Sequence, residues 1–157
     1  MMYAYADVSM DSPICAVGYV LKQVESGEQT LLETGVRAIN TNTTGVGGED
    51  CDWCSMRGEY LGLITAVRAA LDHSEDCLIV HTDQQQIVEF VRYRDDPFED
   101  YFQHALYSFL GRFENYDIRY VPREYNEQAH ELARAALQAS RAVVNAGGGA
   151  QQVSVDV

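Results

Sequence analysis

The chain has 157 residues, with 24 acidic and 11 basic side chains, a formal net charge of -13 and 46% hydrophobic residues. This length and composition predict one folded domain with a sizeable core, and they exclude a disordered chain, a collagen-like repeat and a small disulfide scaffold. No apolar run approaches the ~18 residues of a membrane-spanning helix, and residues 1–5 do not look like a signal peptide, so we expect a cytoplasmic protein with no membrane partner.

The basic residues are unusual in kind, because ten of the 11 are arginine and Lys22 is the single lysine. Many carboxylates with few ammonium groups predict a protein that works in concentrated salt, where screening over ~3 Å at molar ionic strength removes self-repulsion. This pattern predicts an origin in a halophilic archaeon, and ordinary drift toward an acidic surface is the alternative. Taken alone, the charge argues against a nucleic-acid partner, because phosphate binding usually requires a basic surface.

The first half of the chain predicts three strands and a helix. Runs rich in β-branched and aromatic residues cover Tyr3–Val8, Ile14–Val24 and Thr30–Ile39, and their short connections predict antiparallel neighbours. A polar, glycine-rich stretch follows, and an apolar stripe at three- and four-residue spacing then runs from Met56 to Leu71 and predicts an amphipathic helix.

The second half alternates helices with short apolar strands. We expect a strand over Cys77–Thr82 and then a helix after Asp83, with Ile87, Phe90 and Val91 facing inward. Asp96 and Pro97 should open a second helix, with Tyr101 in its apolar stripe. A strand over Tyr116–Val121 and a last helix capped by Asn126 should follow. The order β-β-β-α-β-α-α-β-α predicts an α/β fold with a mixed five-stranded sheet flanked by helices. We expect this domain to span residues 1–144 and a flexible C-terminal tail to span residues 145–157.

Three carboxylates are placed where a site could form. Asp7 lies in an apolar strand, Glu59 lies on the apolar stripe of the first helix, and Asp83 directly follows a buried strand. Each has a simpler interpretation: Asp7 as a turn residue, Glu59 as a first-turn acid favoured by the helix dipole, and Asp83 as a helix N-cap. Together they would repel one another unless a cation neutralised them, and hard oxygen ligands favour Mg²⁺ or Mn²⁺.

The sequence around these residues resembles type 1 ribonuclease H, a family of the ribonuclease H-like superfamily. The most specific segment is Val121–Leu137, which is similar to the family's closing "PRE.N..AD.LA..A" motif. Arg57-Gly58-Glu59-Tyr60, Thr82-Asp83-Gln84-Gln85 and Tyr5-Ala6-Asp7-Val8-Ser9 are similar to other family motifs in the same order. The resemblance implies a ribonuclease H-like fold and two bound ions, Mg²⁺ or Mn²⁺.

The resemblance also implies roles for individual residues. The catalytic metal ligands carry over as Asp7, Glu59 and Asp83, with His130 at a fourth position where the family usually has Asp. His130 could be a working ligand or proton carrier, or it could indicate a weakened enzyme or a binding module without turnover. A structural histidine beside the helix N-terminus is a further alternative. The matching substrate-binding positions are Ser9, Gln85, Arg123 and Asn126, and for Asn126 helix capping is an equal alternative.

The function implied is an endonuclease that hydrolyses the RNA strand of RNA/DNA hybrids by a two-metal mechanism. The alternative is a hybrid-binding or interaction module with weak or no catalysis, because the fourth acidic ligand is His130. Exonucleases of the same superfamily that use a histidine have an acid two residues after the first Asp, where this chain has Ser9. Protein partners are not indicated by the sequence.

The Cys51-Asp52-Trp53-Cys54 segment is a single C-x-x-C motif in the loop before Glu59. A structural zinc site would require two more ligands, and no second pair is present in the sequence. We interpret it as a loop that contains cysteines, with a redox-sensitive lid as the alternative.

Overall fold

The computed structural model describes residues 1–11, 13–40, 54–73, 75–94 and 101–147. The elements are strands β1 (Met2–Asp11), β2 (Ile14–Glu25), β3 (Glu28–Asn40), β4 (Cys77–Thr82) and β5 (Asn115–Tyr120), and helices α1 (Cys54–Ala70), α2 (Gln85–Tyr93), α3 (Tyr101–Leu110) and α4 (Glu127–Gly147), with a 3₁₀ turn at Arg123–Tyr125. The expected start of the third helix at Asp96 and Pro97, and the segment 51–53 of the cysteine motif, lie outside the described residues.

These elements form one mixed sheet of five strands in the order β3-β2-β1-β4-β5. β1 and β3 are both antiparallel to β2, whereas β4 is parallel to both β1 and β5. The predicted α/β fold with three antiparallel strands followed by parallel crossovers is therefore confirmed.

The turn between β2 and β3 has two residues, Ser26 and Gly27. Ser26 and Gly27 both have positive φ, at 52° and 86°, and Glu25 already pairs with Glu28. A two-residue turn with two left-handed residues matches the twist of the strands that it joins. β3 accordingly begins at Glu28, two residues before the expected start of the strand at Thr30.

Helices cover both faces of the sheet. Alternate residues of β1 point in opposite directions, so Ala4 and Ala6 pack in the main core with α1, α2 and α3, whereas Tyr5 packs against Ala129 of α4. None of the helices in the described part of the chain is both long and apolar enough to cross a membrane.

Two expectations about helix faces were wrong. Tyr101 is 79% exposed, because it is the first residue of α3 and the contacts with the core begin at Phe102. In α2 the buried residues are Ile87, Val88 and Val91, whereas Phe90 is only partly buried. Helix α4 continues to Gly147, and the expected domain boundary after residue 144 stays a prediction.

Candidate metal centre

Asp7, Glu59 and Asp83 come together at one end of the sheet. β1 pairs with β4 only over Met2–Tyr5, so Asp7 lies beyond the end of β4, and Asp83 directly follows that end. Glu59 reaches the same place from α1. One oxygen from each of the three carboxylates lies within 4.8 Å of the others, as expected for the crevice at the carboxyl ends of parallel strands.

Close packing of α1 on β1 positions Glu59. Gly62, one turn after Glu59, faces β1, and a Cβ atom at Gly62 would lie 3.0 Å from Cγ1 of Val8. A side chain at position 62 would press on Val8. The glycine therefore allows α1, which carries Glu59, to pack closely on β1.

The simpler interpretations of the three acids do not fit this geometry. Asp83 is not the N-cap of α2, since Gln84 occupies that position, and Asp83 Oδ1 is buried without a hydrogen-bond partner. Glu59 lies beyond the first turn of α1, which contains no acid. Asp7 lies within β1, opposite Gly18, and is not in a turn.

The cluster stores electrostatic repulsion. Burial, followed by the charges of Asp7 and Asp83, raises the pKa of Glu59 to about 8, against a smaller lowering by Arg123. Burial also raises the pKa of Asp7, partly offset by its hydrogen bond with His130. A cation would reverse these shifts. The three hard oxygen donors and the unpartnered Asp83 Oδ1 fit a divalent cation such as Mg²⁺ or Mn²⁺.

His130 approaches the cluster from the opposite face of the sheet. Its Nδ1 lies 2.5 Å from Oδ2 of Asp7, but His130 is not one of the three mutually adjacent ligand residues. The NH2 nitrogen of Arg123 lies 3.2 Å from each ring nitrogen of His130. His130, the expected fourth ligand, therefore contacts the carboxylate of Asp7 and does not join the other two acids in this structure.

The close approach of α4 to the sheet brings His130 to Asp7. Gly18, the cross-strand partner of Asp7, would place a Cβ atom 2.3 Å from the Ala129 carbonyl oxygen and 2.5 Å from the Ala133 nitrogen. Only glycine leaves room for the helix backbone at this distance. The crossing point thereby sets the position of His130.

Gln84 is a site residue that sequence reasoning missed. Its Nε2 donates to Oε1 of Glu59 at 3.4 Å, and its backbone nitrogen donates to Oγ1 of Thr82 at 3.1 Å. The motif drew attention to Gln85, whose exposed amide donates instead to Glu89 along α2 at 3.2 Å. A polar residue immediately after Asp83, at the start of a helix, was the available signal.

The remaining expected substrate residues differ in exposure. Asn126 is 1% exposed, and its Nδ2 donates to the Ala6 carbonyl oxygen at 2.8 Å, so it anchors the start of α4 beside Asp7. Its buried Oδ1 has no partner, so its side chain does not cap the helix. Burial does not favour its expected contact with substrate, which stays a prediction. Ser9 is partly buried on β1, and Arg123 is exposed.

Comparisons with known proteins agree with this architecture. A family model described as reverse transcriptase-like matches residues 32–136. A ribonuclease H1 from the halophilic archaeon Halobacterium salinarum is 27% identical, with a TM-score of 0.70 over 88% of this chain and 98% of that one. No curated protein sequence matches the chain.

Two more solved structures share the fold at lower identity. The ribonuclease H domain of a Mycobacterium tuberculosis protein is 21% identical, with a TM-score of 0.67 over 86% of this chain and 97% of that one. LC11 ribonuclease H1, from a compost metagenome and in complex with an RNA/DNA hybrid, is 18% identical, with a TM-score of 0.67 over 90% of this chain and 99% of that one.

Proposed function

Because this chain belongs to the reverse transcriptase-like family and has a ribonuclease H-like fold, we propose that it is a type 1 ribonuclease H, a metal-dependent endonuclease that hydrolyses the RNA strand of RNA/DNA hybrids. The observation that carries this proposal is the group of three carboxylates, Asp7, Glu59 and Asp83, at the end of the parallel strands. The structure of a fold relative in complex with an RNA/DNA hybrid supports the choice of substrate.

Asp7, Glu59 and Asp83 would hold the divalent cation, Mg²⁺ or Mn²⁺. A cation in this position supplies Lewis-acid activation of the attacking water and stabilises negative charge on the phosphate. The resemblance implies two such ions.

The reaction is the hydrolysis of a phosphodiester. A water oxygen forms a bond to phosphorus while the bond from phosphorus to the 3′ oxygen breaks, and the leaving oxygen takes up the proton that the water loses. The products are a 5′-phosphate and a 3′-hydroxyl. In this step Gln84 holds Glu59 through its amide, His130 holds Asp7, and the exposed guanidinium of Arg123 provides donors for phosphate oxygens.

Selectivity for the hybrid would come from contacts with 2′-hydroxyl groups and from the shape of the duplex, so sequence specificity should be low. Ser9 and Gln85 are the proposed contacts with substrate. Gln85 is exposed on α2 two residues after Asp83, whereas Ser9 follows Asp7 by two residues on β1 and is partly buried.

Titration of Mn²⁺ and Mg²⁺ against labelled RNA/DNA hybrid, duplex RNA, duplex DNA and single strands tests the proposal. We expect cleavage of the hybrid alone. Asp83→Asn should reduce it by more than about 100-fold, because one anionic ligand of the cation is lost. The exposed Asp72 provides the matched control Asp72→Asn, which should cleave like the wild type. Full turnover by a folded Asp83→Asn variant would refute the metal assignment.

The pairing of His130 with Asp7 favours one competing function, a hybrid-binding module without turnover. In that case the wild type would retard the hybrid in a gel shift and leave the RNA strand intact at every metal concentration. His130→Asp would then be expected to restore cleavage.

A further inference from the structure

His130 is paired with Asp7 in this structure and is not one of the three residues whose ligand atoms lie together. Its Nδ1 lies 2.5 Å from Oδ2 of Asp7, and the two nitrogens of an imidazole ring point away from each other, so Nε2 is directed away from that carboxylate. One oxygen of Asp7 is also occupied by this contact. An oxygen already engaged with His130 is less available to a second cation.

Arg123 occupies the space beside His130. Its NH2 nitrogen lies 3.2 Å from both ring nitrogens, and a guanidinium remains charged at any ordinary pH. A second divalent cation next to His130 would therefore meet a fixed positive charge at short range, and like charges repel.

Arg123 is also well placed to act on a substrate. It lies in the 3₁₀ turn between β5 and α4 and is exposed, on the side of Asp7 from which His130 approaches. Planar guanidinium groups donate two parallel hydrogen bonds to phosphate oxygens. Arginine in phosphoryl-transfer sites stabilises the charge that develops in the transition state.

Resting on the function proposed above, we propose that this centre works with a single divalent cation, and that Arg123 supplies the second positive charge at the scissile phosphate. His130 is then a positioning residue that fixes Asp7 and Arg123. The bonds formed and broken are those of the hydrolysis already described, and Arg123 itself neither gains nor loses a covalent bond.

The number of cations can be measured without turnover. Protein bound to a hybrid whose RNA strand alternates 2′-O-methyl nucleotides, which resist hydrolysis, with 2′-hydroxyl nucleotides, which keep the proposed contacts, is titrated with Mn²⁺ and examined by electron paramagnetic resonance and calorimetry. We expect one Mn²⁺ per wild-type chain with the signal of an isolated ion. In His130→Asp we expect two ions with a spin-coupled signal. A spin-coupled pair in the wild type would overturn the inference.

The role of Arg123 is tested by cleavage of unmodified hybrid. Arg123→Gln should lower kcat by about 100-fold with a small change in KM, as for other removed transition-state donors, and Arg123→Lys should recover part of the loss. Arg112, exposed before β5 at the other end of the sheet, gives the control Arg112→Gln, which should match the wild type. Equal kcat in Arg123→Gln and the wild type would overturn the role of Arg123.

These outcomes separate the inference from the proposed function. Two coupled Mn²⁺ ions together with hybrid cleavage would overturn only the single-cation centre. Absence of both Mn²⁺ binding and cleavage in a folded wild type would overturn the proposed function and this inference with it.

Discussion

At the scale of single residues, the acid cluster shows how burial and like charges prepare a site for a cation. The pKa of Glu59 lies at about 8, so below that pH the carboxyl group holds a proton that a cation must displace. Metal binding and proton release are therefore coupled. We expect the cluster to lower the stability of the metal-free protein, and a bound cation to restore that stability.

This coupling predicts a proton release that can be measured. Binding of Mn²⁺ at pH 7 should release up to about one proton per chain, because Glu59 passes from mostly protonated to ionised. Calorimetry in two buffers with different ionisation enthalpies measures this number. Glu59→Gln, which has no proton to lose, is the matched variant and should release less. Equal proton release by the wild type and by Glu59→Gln would contradict the assignment of the released proton to Glu59.

His81 gives a second residue-scale prediction, on stability. Its ring is stacked on Tyr5 at 4.6 Å between centroids, and burial, followed by the charge of Arg119, lowers its pKa from 6.5 to about 4. The His81 ring takes up a proton near pH 6.5 in the unfolded chain, but only near pH 4 in the folded chain. The stability that His81 contributes is thus fully present above pH 6.5 and lost as the pH falls toward 4.

The free energy of unfolding should fall in this window by ~2 kcal/mol because of His81, a value discounted for solvent screening. His81→Phe keeps an aromatic ring against Tyr5 and removes the titration. Urea denaturation at pH 7 and pH 4.5 should show a smaller pH dependence for the variant. The same pH dependence of the unfolding free energy in both proteins would exclude His81 as the source of that dependence.

At the scale of elements, the crossing of α4 over β2 determines where His130 lies. Gly18 is in contact with the backbone of α4 at the level of Ala129 and Ala133, and backbone atoms cannot move aside as a flexible side chain can. A larger residue would displace the helix. Displacement would separate His130 from Asp7.

Gly18→Ala should therefore destabilise the protein by about 3 kcal/mol, since overpacking against backbone forces a shift of the helix. The control is Gly147→Ala at the end of the same helix, where a Cβ atom would meet nothing within 4 Å, and its unfolding free energy should change by less than ~0.5 kcal/mol. Urea denaturation measures both. A Gly18→Ala variant as stable as the wild type would show that α4 does not pack tightly against Gly18.

At the scale of the whole molecule, the charge of -13 must be reconciled with the nucleic-acid substrate that we propose. Three of the 24 acids form the proposed cation site, where a bound ion reverses the field that a phosphate meets. We propose that the remaining acids form a surface suited to concentrated salt. A halophilic origin and a cytoplasmic location remain predictions from composition.

The free energy of unfolding should rise between about 0.1 M and 2 M KCl, because the screening length falls from ~10 Å to less than ~3 Å. Glu28 and Glu114 are exposed, and a Glu28→Gln/Glu114→Gln variant carries less repulsion, so its salt dependence should be shallower. Hybrid cleavage should persist in molar KCl. Activity that peaks in low salt and fails near 1 M would contradict this account.

The sequence by itself determined the order of the elements and the three acids. Period-two and period-3.6 patterns identify the strands and helices from local residues, and short connections fix which strands are antiparallel. Asp7 and Asp83 were identifiable because a carboxylate in or after an apolar strand is rare enough to be informative. Glu59 followed from its place on an apolar helical stripe.

Only the tertiary structure decided what surrounds these acids. The contact of His130 with Asp7 joins residues 123 positions apart, and it depends on the depth at which α4 packs over Gly18. Gln84, which precedes the first residue of α2, reaches Glu59, whereas Gln85 lies exposed on the helix. Such contacts depend on distances between elements, which periodicity does not specify. The sequence therefore predicted that the three acids meet, but not the arrangement of His130 and Arg123 around them.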